Sequence, residues 1–169
     1  MKKLLVWAGI VVAAALIQTT WPDAIKFAGV VPDLTILIVV YFAIEEGEER
    51  AMFTGALGGL FQDVAGQATL GHNVLCNVLV GYAAGRIATR LIPDHPAVKV
   101  TLVFAASLAQ GVLSTAVQFL QQPDVGPVRL IFGNVIPGAF YTAMVTPLIF
   151  LVLDRSLRRR AAQPQGMWP

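Results

Sequence analysis

Apolar runs separated by short clusters of charge and turn residues set the organisation of this chain. Six such runs can be read, at about residues 4–20, 30–44, 51–64, 70–91, 98–120 and 130–153. Within them polar positions recur at three- and four-residue spacing, the period of helices rather than of strands. Most approach the roughly 17 to 25 residues that a helix needs to cross about 30 Å of hydrocarbon. The second run is short, which predicts a helix that starts earlier or packs where the bilayer is locally thin. The third is short and glycine-rich, and so poorly suited to facing lipid.

The connections carry the expected punctuation. Lys2 and Lys3 precede the first run and Trp21 follows it, an amphipathic ring suited to the opposite interface. The basic start and apolar middle resemble a signal peptide, but the run ends in Gln18-Thr19-Thr20-Trp21 and further spans follow, so an uncleaved first helix is expected. Pro32 suits the first turn of the second span, where a missing N–H costs nothing. Gly47 suits a tight turn within Glu45 to Arg50, the most charged point in the chain. Pro137 and Pro147 should bend the sixth span, since each removes a backbone hydrogen bond.

The third and fourth runs form the most informative stretch. Gly55, Gly59, Gln62 and Asp63 share one face of the third helix, and Asn73, Asn77, Gly81 and Gly85 recur at every fourth position of the next. Small residues at that spacing let two backbones approach closely, and amides on the same stripe bond across the contact. A tightly packed hairpin is predicted, with Gly55, Gly59, Gly81 and Gly85 as its packing surface. The rise from Arg50 places Asp63 roughly 20 Å along the third helix, within the apolar slab.

Composition agrees with this pattern: of 169 residues, 56% are hydrophobic and 13% charged, which describes a polytopic membrane protein rather than a soluble domain. A net charge of +2 does not indicate nucleic-acid binding, because Lys and Arg lie at helix ends. With both termini cytoplasmic, Lys2, Lys3, Arg50, Arg86, Arg90, Lys99, Arg155, Arg158, Arg159 and Arg160 fall inside, leaving Lys26 and Arg129 outside. The expected organisation is one membrane domain over 1–160 and a loose cytoplasmic tail over 161–169.

Asp63 is the sharpest chemical feature, because a carboxylate at membrane depth is costly and faces a partner or a wet cavity. It is either a proton or substrate site, or a structural anchor bonded to Asn73, Asn77 or helix-end N–H groups; the absence of a second ionisable group at its depth favours the anchor. Polar stripes on the fifth span (Ser107, Gly111, Ser114, Gln118) and the sixth (Asn134, Gly138, Thr142, Thr146) either join helices or line a cavity, with Gln118 and Asn134 as candidate lining. His72 reads as interfacial. The lone Cys76 has no partner for a disulfide. The pattern holds no catalytic pair, metal box, phosphate loop or cofactor motif, so no enzyme, metal or cofactor is expected.

Several of these residues fall in one order. Pro32-Asp33-Leu34 opens a helix, Gly47 turns it, Gln62-Asp63 ends the next, and Leu70-Gly71 opens a helix that closes in Gly81-Tyr82 and Gly85-Arg86. Residues 30–87 thereby resemble the rod shape-determining protein MreD family. The resemblance implies a non-catalytic, multi-pass subunit of the bacterial inner membrane, working beside the single-span protein MreC and the filament protein MreB, the latter directly or indirectly. It implies a role in positioning the RodA glycosyltransferase and its penicillin-binding transpeptidase during wall growth. The implied fold is an all-α bundle of six transmembrane helices, similar to the substrate-binding subunits of energy-coupling-factor transporters. A vitamin-binding subunit with Asp63, Asn77, Gln118 and Asn134 around one pocket is therefore the rival reading, and a proton-coupled carrier a third. For a scaffold, Ala8, Ala13 and Ala15 on the first span, or an open Gly81 and Gly85 face, are candidates for receiving a partner helix.

Overall fold

A computed structural model describes residues 2–20, 30–66, 69–91, 95–121 and 126–161, with the side chains of 2, 3, 19 and 156–161 left aside. The described residues form helices: α1 (Lys2–Thr19), α2 (Leu34–Glu45), α3 (Glu48–Ala65), α4 (His72–Ala88), α5 (Pro96–Gln121), α6 (Pro127–Leu130) and α7 (Ile136–Ala161). One π-helical turn, Ile131–Val135, joins α6 to α7, so the last three elements make a single rod. The interfacial Trp21, and the tail from residue 162 on, lie outside the described residues.

Helix α2 is the hub. It is apolar on every side, and its residues from Leu34 to Ala43 are all buried, because α1, α3, α4, α5 and α7 all pack against it. A helix that is hydrophobic all round has to be enclosed. Its opening differs from the expectation. Pro32 lies before the helix and Asp33 caps it, the carboxylate accepting from Ile36 N at 3.0 Å. An aspartate at the cap satisfies a free N–H that a proline in the first turn could not bond.

Helix α3, by contrast, starts three residues before the expected span, inside the acidic cluster. Gly47 turns the chain at φ +88°, a conformation that side chains resist, and Glu48 and Glu49 then occupy the positive end of the helix dipole. The last rod is longer than the expected sixth span, and Pro127 sits in its first turn. Of the two expected bends, Pro137 follows the π turn, where the Ile136 N–H reaches back to the Ile131 carbonyl; Pro147 sits inside α7, and the helix continues on both sides of it.

The distribution of polarity is inverted relative to a soluble protein. Asp63, His72, Asn77, Ser107 and Thr146 are buried, while Phe53, Leu75, Phe132, Phe140, Met144 and Leu148 stand exposed. Only a hydrocarbon solvent makes that arrangement favourable. Two rods, Pro96–Gln121 and Pro127–Arg155, are long and apolar enough to cross a bilayer on their own.

Candidate functional site

The α3–α4 hairpin is built on close approach. A Cβ added to Gly55 would lie 2.5 Å from the Asn77 carbonyl oxygen, one on Gly59 2.6 Å from Val74 N, and one on Gly81 2.8 Å from the Ala51 carbonyl oxygen. Gly85 meets the Cα of Glu48 in the same way. Steps of three or four residues along α3, at Glu48, Ala51, Gly55 and Gly59, thus meet four-residue steps along α4, at Gly85, Gly81, Asn77 and Asn73, and the seam runs most of the length of both helices. The Gly81 and Gly85 face is consequently closed by α3, which removes it as a surface for an outside helix.

Asp63 sits at the far end of this seam, 1% exposed. Oδ1 accepts from Asn73 N and Asn73 Nδ2, each at 2.9 Å, and Oδ2 accepts from Gly71 N at 2.8 Å and more weakly from Val74 N at 3.4 Å. The residue at the ordinary cap position of α4 is Gly71, at φ +93°, which has no side chain to offer. Asp63 therefore caps α4 from the neighbouring helix, and the charge is matched to the positive end of the α4 dipole. Asn77 acts a layer deeper in the seam. Its Nδ2 donates to Gln62 Oε1 at 3.0 Å, and Gln62 Nε2 donates to Thr35 Oγ1 at 2.9 Å, a polar relay across α4, α3 and α2.

The other polar residues gather elsewhere, around a cavity of about 250 Å³ between α1, α2, α5 and the last rod. Gln118 and Asn134 line it from opposite helices at its mouth, and both are exposed. Asp63 and Asn77 do not, so the four residues of the vitamin-pocket reading fall at two places rather than around one void. Two lining residues escaped notice as such in the sequence, Gln18 and Asp33, because each belongs to a different helix end and they meet only through folding. Gln18 Oε1 accepts from Leu34 N at 2.8 Å, and Thr142 Oγ1 accepts from Asp33 N at 2.9 Å, completing the cap of α2. Ser114 lines the same wall, and its hydroxyl meets His72 Nε2 at 2.7 Å, tying α5 to α4.

The opposite ends of the helices carry a second polar layer. Arg50 pairs with Glu46 at 2.7 Å and lies over the Trp7 ring, whose Nε1 donates to Thr54 Oγ1 at 2.9 Å. Tyr41 donates to Asp154 Oδ1 at 2.9 Å, and Arg86 faces Glu48 at 3.5 Å.

Of the candidate partner surface on α1, Ala15 is fully buried and Ala8 half-buried, because α1 packs on α2 and α3 through that side. Ala13 is exposed. It shares its open stripe with Leu5, Gly9, Leu16 and Ile17, and nothing lies within 4 Å of a Cβ built on Gly9.

Comparison with curated proteins and with solved structures returns no match. A family model described as rod shape-determining protein MreD matches residues 1–157, a stretch that takes in the glycine seam, the Asp63 cap, the polar cavity and all but the last turn of the final rod. On that coverage the chain belongs to the rod shape-determining protein MreD family.

Proposed function

We propose that this protein is a non-catalytic membrane scaffold of the rod complex, whose work is to hold MreC and thereby organise lateral peptidoglycan synthesis by RodA and its transpeptidase. The family match over nearly the whole chain carries the reading. In this reading the chain has six spans, similar in fold to energy-coupling-factor substrate-binding subunits, and both termini are cytoplasmic, with Arg50, Arg86 and Lys99 on the cytoplasmic side and the cavity mouth on the outer side. The membrane domain in this reading covers 1–160.

The open stripe of α1 supports the partner contact. Gly9 and Ala13 are small, exposed and four residues apart, flanked by Leu5 and Leu16, and α1 touches only α2 and α3 among the described helices. Hydrocarbon supplies little drive for two helices to associate, so close backbone approach over small residues has to supply it. A partner helix fits this stripe better than the Ala8 and Ala15 side, which is used inside the chain.

The test is co-purification of MreC and wall-synthesis enzymes with the tagged protein from native membranes, comparing wild type with Gly9→Leu and Ala13→Leu. Overpacking costs ~1–3 kcal/mol, so MreC recovery should fall about tenfold while protein abundance holds. Recovery of a transporter ATPase pair or a bound vitamin in place of MreC would overturn the scaffold reading.

A further inference from the structure

We propose that the cavity between α1, α2, α5 and the last rod binds a protonated amine, held by Asp33 and a ring of amide and hydroxyl oxygens. This goes beyond partner binding and does not depend on it. Six side chains matter: Gln18 from α1, Asp33 at the start of α2, Ser107, Gln110 and Gln118 from α5, and Asn134 from the π turn.

Charge selects the class of ligand. The described lining holds one carboxylate and no Lys, Arg or His. The N-terminus of α2 would ordinarily attract an anion, but the N–H groups there are already engaged: Asp33 N by Thr142, Leu34 N by Gln18 and Ile36 N by Asp33 itself. An anionic group would therefore meet the carboxylate and no positive charge, with only neutral amide and hydroxyl donors to offset the repulsion. A cation meets the reverse. A carboxylate has about four acceptor sites, and amide and hydroxyl oxygens complete the shell that an ammonium with three donors requires.

A second observation points to a missing hydrogen-bond partner, a role that an ammonium donor can fill. Ser107 Oγ is buried, with the residue 7% exposed, and has no hydrogen-bond partner among the described residues, although it lines the cavity. A buried hydroxyl left unbonded costs about 1–3 kcal/mol, and a ligand donor in the cavity would relieve it. The π turn, with its wider i to i−5 bonding, sets Asn134 on the wall, and single π turns inside helices are frequent at functional sites. Size limits the choice further. At about 250 Å³ the cavity lies near the small end of the roughly 300–1,000 Å³ range of ligand pockets, a size suited to a small amine or a headgroup.

One chemistry has two sources here, a lipid headgroup and a free amine, and the experiment separates them. The full-length protein, purified in mild detergent, is examined by native mass spectrometry with phosphatidylethanolamine or phosphatidylglycerol at equal concentration, and by thermal unfolding with free ethanolamine. Retention of phosphatidylethanolamine over phosphatidylglycerol assigns a headgroup; stabilisation by ethanolamine alone assigns a soluble amine. In either case Asp33→Asn, which keeps a good helix cap but removes the charge, should weaken binding by about tenfold or more, and Ser107→Ala by a few-fold. Failure of both probes to bind, preference for phosphatidylglycerol, or undiminished binding to Asp33→Asn would overturn the proposal. If Asp33→Asn lowers the folded yield, Ser107→Ala and Gln118→Ala decide, since neither touches a helix cap; unchanged binding in both overturns it equally.

Discussion

Asp63 shows how a carboxylate is buried in an apolar helix bundle with no countercharge bonded to it among the described residues. Three backbone N–H groups and one amide replace its water, and they come from a helix start that has no cap of its own. Hydrogen bonds to a carboxylate contribute about 1.5–3 kcal/mol each, and the three at 2.8–2.9 Å replace much of the hydration that burial removes. Asp63→Ala leaves those donors buried and unpaired. The expected outcome is a loss of several kcal/mol, read as a sharp fall in membrane abundance and in thermal unfolding temperature of the purified protein. Normal levels of the variant together with lost rod shape would assign Asp63 a direct functional role instead. That Asp63 has a special place was legible from its isolation in an apolar run. Its actual partners were only half legible: Asn73 lies on the predicted face, but the Gly71 and Val74 N–H groups carry no side-chain signal at all.

At the scale of helices, the glycine stripes differ in what they meet. The seam glycines of α3 and α4 face backbone, which cannot yield, whereas Gly9 of α1 faces open space. Gly59→Ala should therefore destabilise the protein by ~1–3 kcal/mol through overpacking, while Gly9→Ala should leave stability unchanged or raise it by up to about 1 kcal/mol. Thermal unfolding of the two variants side by side checks this; equal unfolding temperatures would mean that the seam is looser than its geometry. Four-residue spacing was readable for the seam because both helices keep it in register over several turns. The α1 surface was not, because alanines crowd every face of that helix. Which of Ala8, Ala13 and Ala15 points outward depends on where α2 and α3 dock. The start of α2 is similar: Pro32 and Asp33 both signal a helix opening, and the capping bond to Ile36 decides between them.

For the whole molecule, the inverted polarity and the charge asymmetry predict a topology that labelling can test. Cys76 is buried, so an introduced cysteine can be read against a quiet background. Gly126→Cys, at an exposed position with open space around it, should react with an impermeant maleimide in intact cells; Glu49→Cys should react only after permeabilisation. The reverse pattern would invert the proposed orientation. By itself the sequence determined the helical class, the six apolar runs, the hairpin and its glycine face, because each depends on residues near one another in the chain and on a period that local geometry enforces. Only the tertiary structure decided where the polar residues converge. Asp63 and Asn77 went to one seam, and Gln118 and Asn134 went to a cavity completed by Gln18 and Asp33. These groups lie on different helices, and no spacing within one helix encodes the rotation and depth at which another packs against it.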